Sequence, residues 1–380
     1  MSSIYLHIPF CEKKCLYCDF YSIESQSGLE DFLAALLREI RAYSSYGRKE
    51  EFQTLFFGGG TPSLLHPDQL GQILAALHGV FRVTPDEEIT LEANPGTIDR
   101  RRLEAYRALG INRLSVGIQS FDDTELEFLS RIHTRDQALA AIDDARDAGF
   151  TNISIDLIYS LPGQTLLQWE QNLRTAVGLA PNHISAYSLI VEERTPLARM
   201  VETGRVTPAS TDTDAAMYEL TMSFLGANGY EQYEVSNYAR EGFRCRHNLA
   251  YWSHLNYLGF GPSAHSFWRK PAWTEARRWW NIANIGTYND RLLHGRLPVA
   301  SEERVGVHDL INERIFLGLR SDGLDLAKVE KDFRFAFHDR QRMLIRELAE
   351  RRLAVLEDGT LRLTPSGYLL CDEIAERLFL

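Results

Sequence analysis

The chain has 380 residues, 44% hydrophobic and 24% charged, with 41 Lys and Arg against 52 Asp and Glu and a formal net charge of −11. That length holds one large domain plus a smaller one with ample capacity for a buried core, and the acidic balance argues against a general binder of nucleic acid or anionic membranes, which would present a basic surface. No apolar run approaches the roughly 18 to 20 residues of a membrane span, no secretory signal is visible at the N-terminus, and five cysteines with three of them clustered do not read as a disulfide framework, so a reduced, cytoplasmic protein is expected.

In chain order, the first half alternates strand and helix signals. Apolar runs at Ile4–Ile8, Thr54–Phe57, Ile89–Leu91, Leu114–Ile118, Ile153–Ile158 and Ile184–Val191 predict strands, and helical spacing occurs over Leu29–Tyr43, Asp68–Val80, Arg100–Leu109, Arg135–Ala148 and Leu166–Leu179. Six strands alternating with helices indicate parallel βαβ units. Their near-continuous apolar character fits a sheet buried on both faces, and an open doubly wound sheet and a barrel-like closure both satisfy the pattern. A further helix is expected over 211–228, followed by a stretch over 230–285 crowded with Tyr, Trp, Phe and Gly. Beyond about residue 300 the pattern predicts helices at Val305–Leu319 and Leu326–Arg352, a hairpin over Leu353–Leu363 around Asp358-Gly359, and a last helix over Gly367–Leu380. Helices followed by a two-stranded wing suggest a small winged-helix-like α+β domain, for which the acidic chain favours a packing or partner role over DNA binding. The expected division is 1–235, 236–300 as an aromatic-rich connecting region, and 301–380.

The densest chemistry lies in the run His7-Ile-Pro-Phe-Cys-Glu-Lys-Lys-Cys-Leu-Tyr-Cys-Asp-Phe-Tyr21, which follows the first strand directly. Cys11, Cys15 and Cys18 are soft ligands packed as an iron–sulfur cluster or a zinc ion requires. A structural zinc site wants four closed ligands, no fourth cysteine follows, and His7 lies inside a predicted strand. A cubane cluster on three cysteines leaves one iron open to a small molecule. Polar or glycine-rich groups then recur at one strand end after another: Gly58-Gly59-Gly60-Thr61-Pro62-Ser63, Glu92-Ala-Asn94-Pro95, Gln119-Ser120-Phe121 with Arg131 beyond, and Asp156 followed by Leu161-Pro162-Gly163. Parallel α/β architectures place their sites at that edge.

Cys11-x-x-x-Cys15-x-x-Cys18, with aromatic Tyr17 before the last cysteine, resembles the radical S-adenosylmethionine (SAM) superfamily. Tyr5, His7-Ile-Pro-Phe-Cys11, Gly58–Ser63 and Asp156 to Gly163 together are similar to the oxygen-independent coproporphyrinogen III oxidase group. The resemblance implies a partial (βα)6 barrel with a [4Fe-4S] cluster on Cys11, Cys15 and Cys18 and SAM on its open iron. It also implies that Tyr5 and Tyr17 lie near the cofactor, with Gly59, Gly60 and Thr61 along its methionine end. Glu92 would meet the amino group, Arg131 the carboxylate, and Gln119 and Asp156 the ribose. Arginine suits a carboxylate.

Two features depart from the oxidases, which carry a fourth cysteine two positions after the third and an N-terminal extension before the motif. Phe20 stands at the cysteine position, and the motif here starts at residue 11. Cys245-Arg-His247-Asn248-Leu-Ala-Tyr251-Trp252 instead resembles the His-Asn-x-x-Tyr-Trp motif of the HemW branch, the haem chaperones. That resemblance implies haem at His247, Asn248, Tyr251 and Trp252, transfer to haem-accepting apoproteins, a low-potential electron donor, and no nucleic-acid partner. An acceptor at the membrane is compatible with it. Histidine is a common haem ligand and aromatic faces suit a porphyrin. The alternative for the aromatics is a core layer over the barrel mouth, and for Cys245 and Cys371 plain buried thiols. His254 and His265 are weaker candidates for a second axial position, and oxidative decarboxylation of coproporphyrinogen III is the alternative activity.

Overall fold

The computed structural model describes residues 2–47, 50–270 and 274–380; Trp273 of the aromatic run lies outside them. Six parallel strands, β1 (Ser2–Ile8), β2 (Glu51–Gly59), β3 (Arg82–Ala93), β4 (Arg113–Gln119), β5 (Ile153–Tyr159) and β6 (His183–Ser188), stand side by side in chain order with helical crossovers between them. Their order never reverses, which is the arrangement of a barrel wall and not of a doubly wound sheet. The sheet continues past β6 through antiparallel β8 (Asn237–Ala239) to β7 (Glu231–Gln232) at the edge. Past β1 it continues through β9 (Tyr257–Phe260), β10 (His265–Arg269), β11 (Glu275–Asn281) and β12 (Val299–Gly306). β9 runs parallel to β1, and β10 to β12 pair antiparallel. The aromatic-rich stretch therefore supplies strands of the barrel sheet itself.

The strands are not apolar on both faces. Ile4, Leu6 and Ile8 on β1, Leu114, Val116 and Ile118 on β4, and Ile153, Ile155 and Leu157 on β5 point outward into one continuous core. Helix residues at i, i+3 and i+4 spacing complete that core, among them Phe32, Leu36 and Ile40, Leu70, Ile73 and Leu77, and Trp169, Leu173 and Ala176. The alternate residues, Tyr5, His7, Thr54, Glu88, Glu92, Arg113, Ser115, Ser154, Asp156 and His183, line the inner face, where hydrogen bonds join Thr54 to His247, Glu92 to Gly59, Ser115 and Ser154 to Asp156, and Ser154 to His183. This period-two alternation corrects the expectation of a sheet buried in apolar contact on both sides.

Helices Val307–Leu319, Leu326–Phe333, Asp339–Glu350 and Cys371–Leu378 enclose a second core with β13 (Leu324–Asp325), β14 (Ala354–Glu357) and β15 (Thr360–Leu363). Phe267, Ala276 and Val305 join that core, so the C-terminal α+β unit packs directly on the barrel sheet. Cys371 is buried within it. The single helix expected over Leu326–Arg352 is two. Arg334 adopts a left-handed conformation (φ 52°) and Phe337 turns into the core, its N–H donating to Glu330 at 3.0 Å; burial of one aromatic outweighs the local helical preference.

Strands β9 to β11 are tied to the first helix (Leu29–Ala42) through Glu39, which is fully buried. Its carboxylate accepts the Gly261 N–H at 2.9 Å, the Asn281 side-chain amide at 2.6 Å and the Tyr288 hydroxyl at 2.6 Å. Trp279 stacks 6.2 Å from Tyr43 and donates its indole N–H to the Tyr43 hydroxyl at 3.0 Å. Burial outweighs the three donors and pushes the Glu39 carboxyl up from 4.5 to about 7. A raised carboxyl favours the folded state while protonated, so its contribution is full below pH 4.5 and is lost as the pH rises through about 7. That loss is on the order of 3 kcal/mol. Thermal unfolding of Glu39→Gln is expected to lack this part of the decline between pH 4.5 and 7, and to start from a lower melting temperature, because an amide N–H faces donors.

Candidate functional site

The cysteine loop springs from the end of β1 and is stapled to it: Ile23 N–H donates to the Pro9 carbonyl at 2.7 Å and Cys11 N–H to the Ile23 carbonyl at 2.9 Å. Lys14 Nζ holds the Phe20 carbonyl at 2.9 Å. The glycine run at the end of β2 lies against it, with Gly60 N–H donating to the Ile8 carbonyl and Thr61 N–H to the Phe10 carbonyl, both at 2.8 Å. A Cβ on Gly60 would sit 2.7 Å from the Phe10 carbonyl oxygen and 3.0 Å from Cys11 Sγ, which is why glycine is required there.

All three cysteines are free and half-buried. Thr61 donates its hydroxyl to Cys11 Sγ at 3.6 Å, and Arg131 points Nη1 at Cys15 Sγ at 3.4 Å while Nη2 bonds the Gly117 carbonyl at 2.7 Å. Burial pushes the Cys11 thiol up and the Cys18 thiol up to about 11. Such thiols keep their protons until a metal displaces them. Among the described residues no three His, Cys, Asp or Glu side chains converge as ligands to one ion would. The cysteines of a cubane each bind a different iron and need no such convergence. His7 is no fourth ligand: Nε2 bonds the Tyr21 carbonyl at 2.7 Å and Nδ1 faces the Tyr5 hydroxyl at 3.3 Å.

Beside the loop, Tyr17 packs against Leu129, Ile158 and Leu161, with burial raising its phenol. Glu92 is deep on the inner face and accepts the Gly59 N–H at 3.3 Å. Burial, and after it the Asp156 charge, lift its carboxyl to about 8. Asp156 is raised by burial too, against hydroxyl donation from Ser115 at 2.9 Å and Ser154 at 3.1 Å. Gln119 stands at a bulge of β4 with φ 71°, its side chain folded over Gly117. The structure therefore gathers Tyr17, Arg131 and Thr61 at the thiols, and Gly59, Glu92 and Asp156 a layer below.

The helix Arg246–Trp252 lies over the inner face of β1 and β2. His247 shares a hydrogen bond between Nδ1 and Thr54 Oγ1 at 2.8 Å, and its ring lies 4.8 Å from Phe56 and 6.4 Å from Tyr5. Burial, with the Arg113 charge behind it, pushes the imidazole down to about 3, so it is neutral and Nε2 can be a metal-ligating lone pair. Among the described residues that nitrogen has no hydrogen-bond partner. A cavity of about 710 Å³ opens here, within the range of cofactor-sized pockets. Tyr5, Phe20, Tyr21, His247, Tyr251, Tyr257, His265 and Phe267 are on its walls, with Glu313 and Phe316 from the C-terminal unit. His247 and Tyr251, four residues apart, share the cavity-facing side of the helix, whereas Asn248 and Trp252 do not line the cavity. Cys245 is buried beneath, its thiol donating to Glu88 at 3.6 Å. His254 places Nε2 3.0 Å from the Glu313 carboxylate, and His265 stacks 5.7 Å from Trp280.

Residues 5–176 match the Radical SAM superfamily and residues 307–370 the HemN C-terminal domain, so the chain combines a radical SAM barrel with a HemN-type tail. Coproporphyrinogen III oxidase (HemN) from Escherichia coli superposes with a TM-score of 0.84 over 100% of this chain and 90% of that one, at 24% identity, a likeness of fold. Heme chaperone HemW of Bacillus subtilis (strain 168) is 35% identical over 98% of each chain, and that of Mycobacterium tuberculosis (strain ATCC 25618 / H37Rv) is 36% identical over 99% of this chain and 94% of the relative. Heme chaperone HemW of Escherichia coli (strain K12) is 38% identical over 69% of each. The chain belongs to the HemW haem chaperone family.

Thr54, Glu88, Arg113, Ser115 and Ser154 escape the motif-based reading, and their only signal in the sequence is the alternation of polar with apolar residues inside the strands. The Gly60 cradle makes a specific demand. Gly60→Ala is expected to lose cluster incorporation on anaerobic reconstitution, scored by iron and sulfide per chain and by visible absorption. Gly79→Ala, whose added Cβ meets nothing within 4 Å, should load like the wild type.

Proposed function

We propose that this chain is a haem carrier, binding one haem in the cavity beside the cysteine loop and passing it to acceptor apoproteins. The observation that carries the reading is His247: a neutral imidazole on the wall of an aromatic-lined cavity, with Nδ1 held by Thr54 and Nε2 open. The names of the relatives, heme chaperones along nearly the whole chain, support it. Phe20, at the position of a fourth cysteine in the oxidases, is 63% exposed and lies on the same cavity wall. There it offers a porphyrin a flat apolar face.

The thiols of Cys11, Cys15 and Cys18 would hold a [4Fe-4S] cluster, which, with SAM at its open iron, supplies low-potential one-electron chemistry. Arg131, buried and already directed at Cys15, would take the SAM carboxylate, and Glu92 its amino group. Gly59, Gly60 and Thr61 would let the methionine end approach the backbone, Gln119 and Asp156 would meet the ribose, and Tyr5 and Tyr17 would close the sides. Haem, the acceptor apoproteins and an electron donor are the expected partners, met in the cytoplasm. No helix among the described residues is long and apolar enough to cross a membrane.

Cluster-loaded protein given reductant, SAM and coproporphyrinogen III is expected to yield no protoporphyrinogen, while binding haem at one per chain by absorbance titration. Turnover of the porphyrinogen with matching 5′-deoxyadenosine would instead make the chain an oxidase.

A further inference from the structure

We propose that Thr54 and Glu88 are the positioning residues of the haem site, together fixing the tautomer and the placement of His247 so that its Nε2 meets the iron. This rests on the haem-carrier reading. The two are a cross-strand pair, register partners on the inner face of β2 and β3. Each holds a different part of the same short segment. The Glu88 carboxylate accepts the N–H groups of Arg246 and His247, both at 3.1 Å, and the Cys245 thiol at 3.6 Å. These bonds join residues 157 to 159 positions apart in the chain, so the start of the helix is fixed by the barrel wall and not by its own sequence. Glu88 is 6% exposed, and the buried guanidinium of Arg113 on β4 lies near enough to balance its charge.

Thr54, 1% exposed, holds the ring itself, with Oγ1 2.8 Å from Nδ1. An iron bound at Nε2 needs the lone pair there and hence the proton on Nδ1, for which the Thr54 hydroxyl oxygen is the acceptor. Ligating histidines generally give their second ring N–H to such a fixed partner, which sets both tautomer and ring orientation. Phe56, 4.8 Å away, and Tyr5, 6.4 Å away, pack against the ring and limit its rotation. On this account Cys245 is a donor to Glu88 and takes no part in binding iron.

The test adds haem anaerobically to the cluster-loaded full chain as wild type, Thr54→Val, Thr54→Ser, Glu88→Gln and His247→Ala. It reads the dissociation constant, the Soret maximum and the electron paramagnetic resonance g-values of the ferric haem. Thr54→Val keeps the side-chain shape without the acceptor. It is expected to weaken haem about 10- to 100-fold and to shift the Soret band and g-values, with Thr54→Ser restoring both. Glu88→Gln should shift them in the same direction, and it carries the test if Thr54→Val does not fold. Wild-type affinity and spectra in both variants, with haem binding lost in His247→Ala, overturn the inference. Unchanged haem binding in His247→Ala removes His247 from the site and overturns the inference as well, whereas a wild type that binds no haem overturns the haem-carrier reading instead.

Discussion

Each strand of the parallel wall has to satisfy two environments at once. Its outward residues must be apolar, because the crossover helices bury them, while its inward residues face an enclosed space where every polar group needs a partner. Ile4, Leu6 and Ile8 alternate with Tyr5 and His7, and Leu114 and Val116 with Arg113 and Ser115. Many inner residues meet the demand by bonding to one another, as in Ser115 and Ser154 to Asp156 and Ser154 to His183, or by capturing what the barrel encloses, as Thr54 and Glu88 do, whereas Thr90 Oγ1 and Arg113 Nε have no hydrogen-bond partner among the described residues. The site follows from this constraint. The helix carrying His247 is seated by polar groups that an all-apolar wall would lack.

Glycine at the strand ends is the second requirement. Gly59 (φ 111°) brings β2 under the His7 ring, where a Cβ would lie 2.7 Å from ring atoms, and Gly60 brings it to Cys11. Close approach of two backbones at that edge lets three cysteines, an arginine and a carboxylate share one small volume. The large cavity then forms where the same loop, through Phe20 and Tyr21, meets the His247 helix and the C-terminal unit.

Much of this was legible in the sequence. The cysteine trio, the glycine run and the polar groups at successive strand ends are local in the chain, and local signals survive without a structure. The strands β9 to β12 were not legible as barrel strands, because their places are set by partners far away: Tyr257 beside Ser3, and Trp279 under Tyr43. Trp268 and Trp279 pack outward as core against Tyr46 and Tyr43, just past the end of the first helix, whereas Trp280 on the alternate face reaches the cavity side through His265. Thr54, Glu88 and Arg113 passed unnoticed because a single polar residue within a strand carries no label of its own. Only the pairing of Thr54 with Glu88, and of both with residues 245–247, gives them meaning.

A fold shared with HemN at 24% identity leaves the chemistry open; the side chains around the cavity bear on it. The most direct measurement is a structure of the haem-loaded, cluster-loaded protein. The account predicts porphyrin density in the cavity between Phe20 and the helix Arg246–Trp252, with the iron on Nε2 of His247 and Nδ1 still bonded to Thr54. Haem seated elsewhere, with His247 bonded to Thr54 alone, would contradict it.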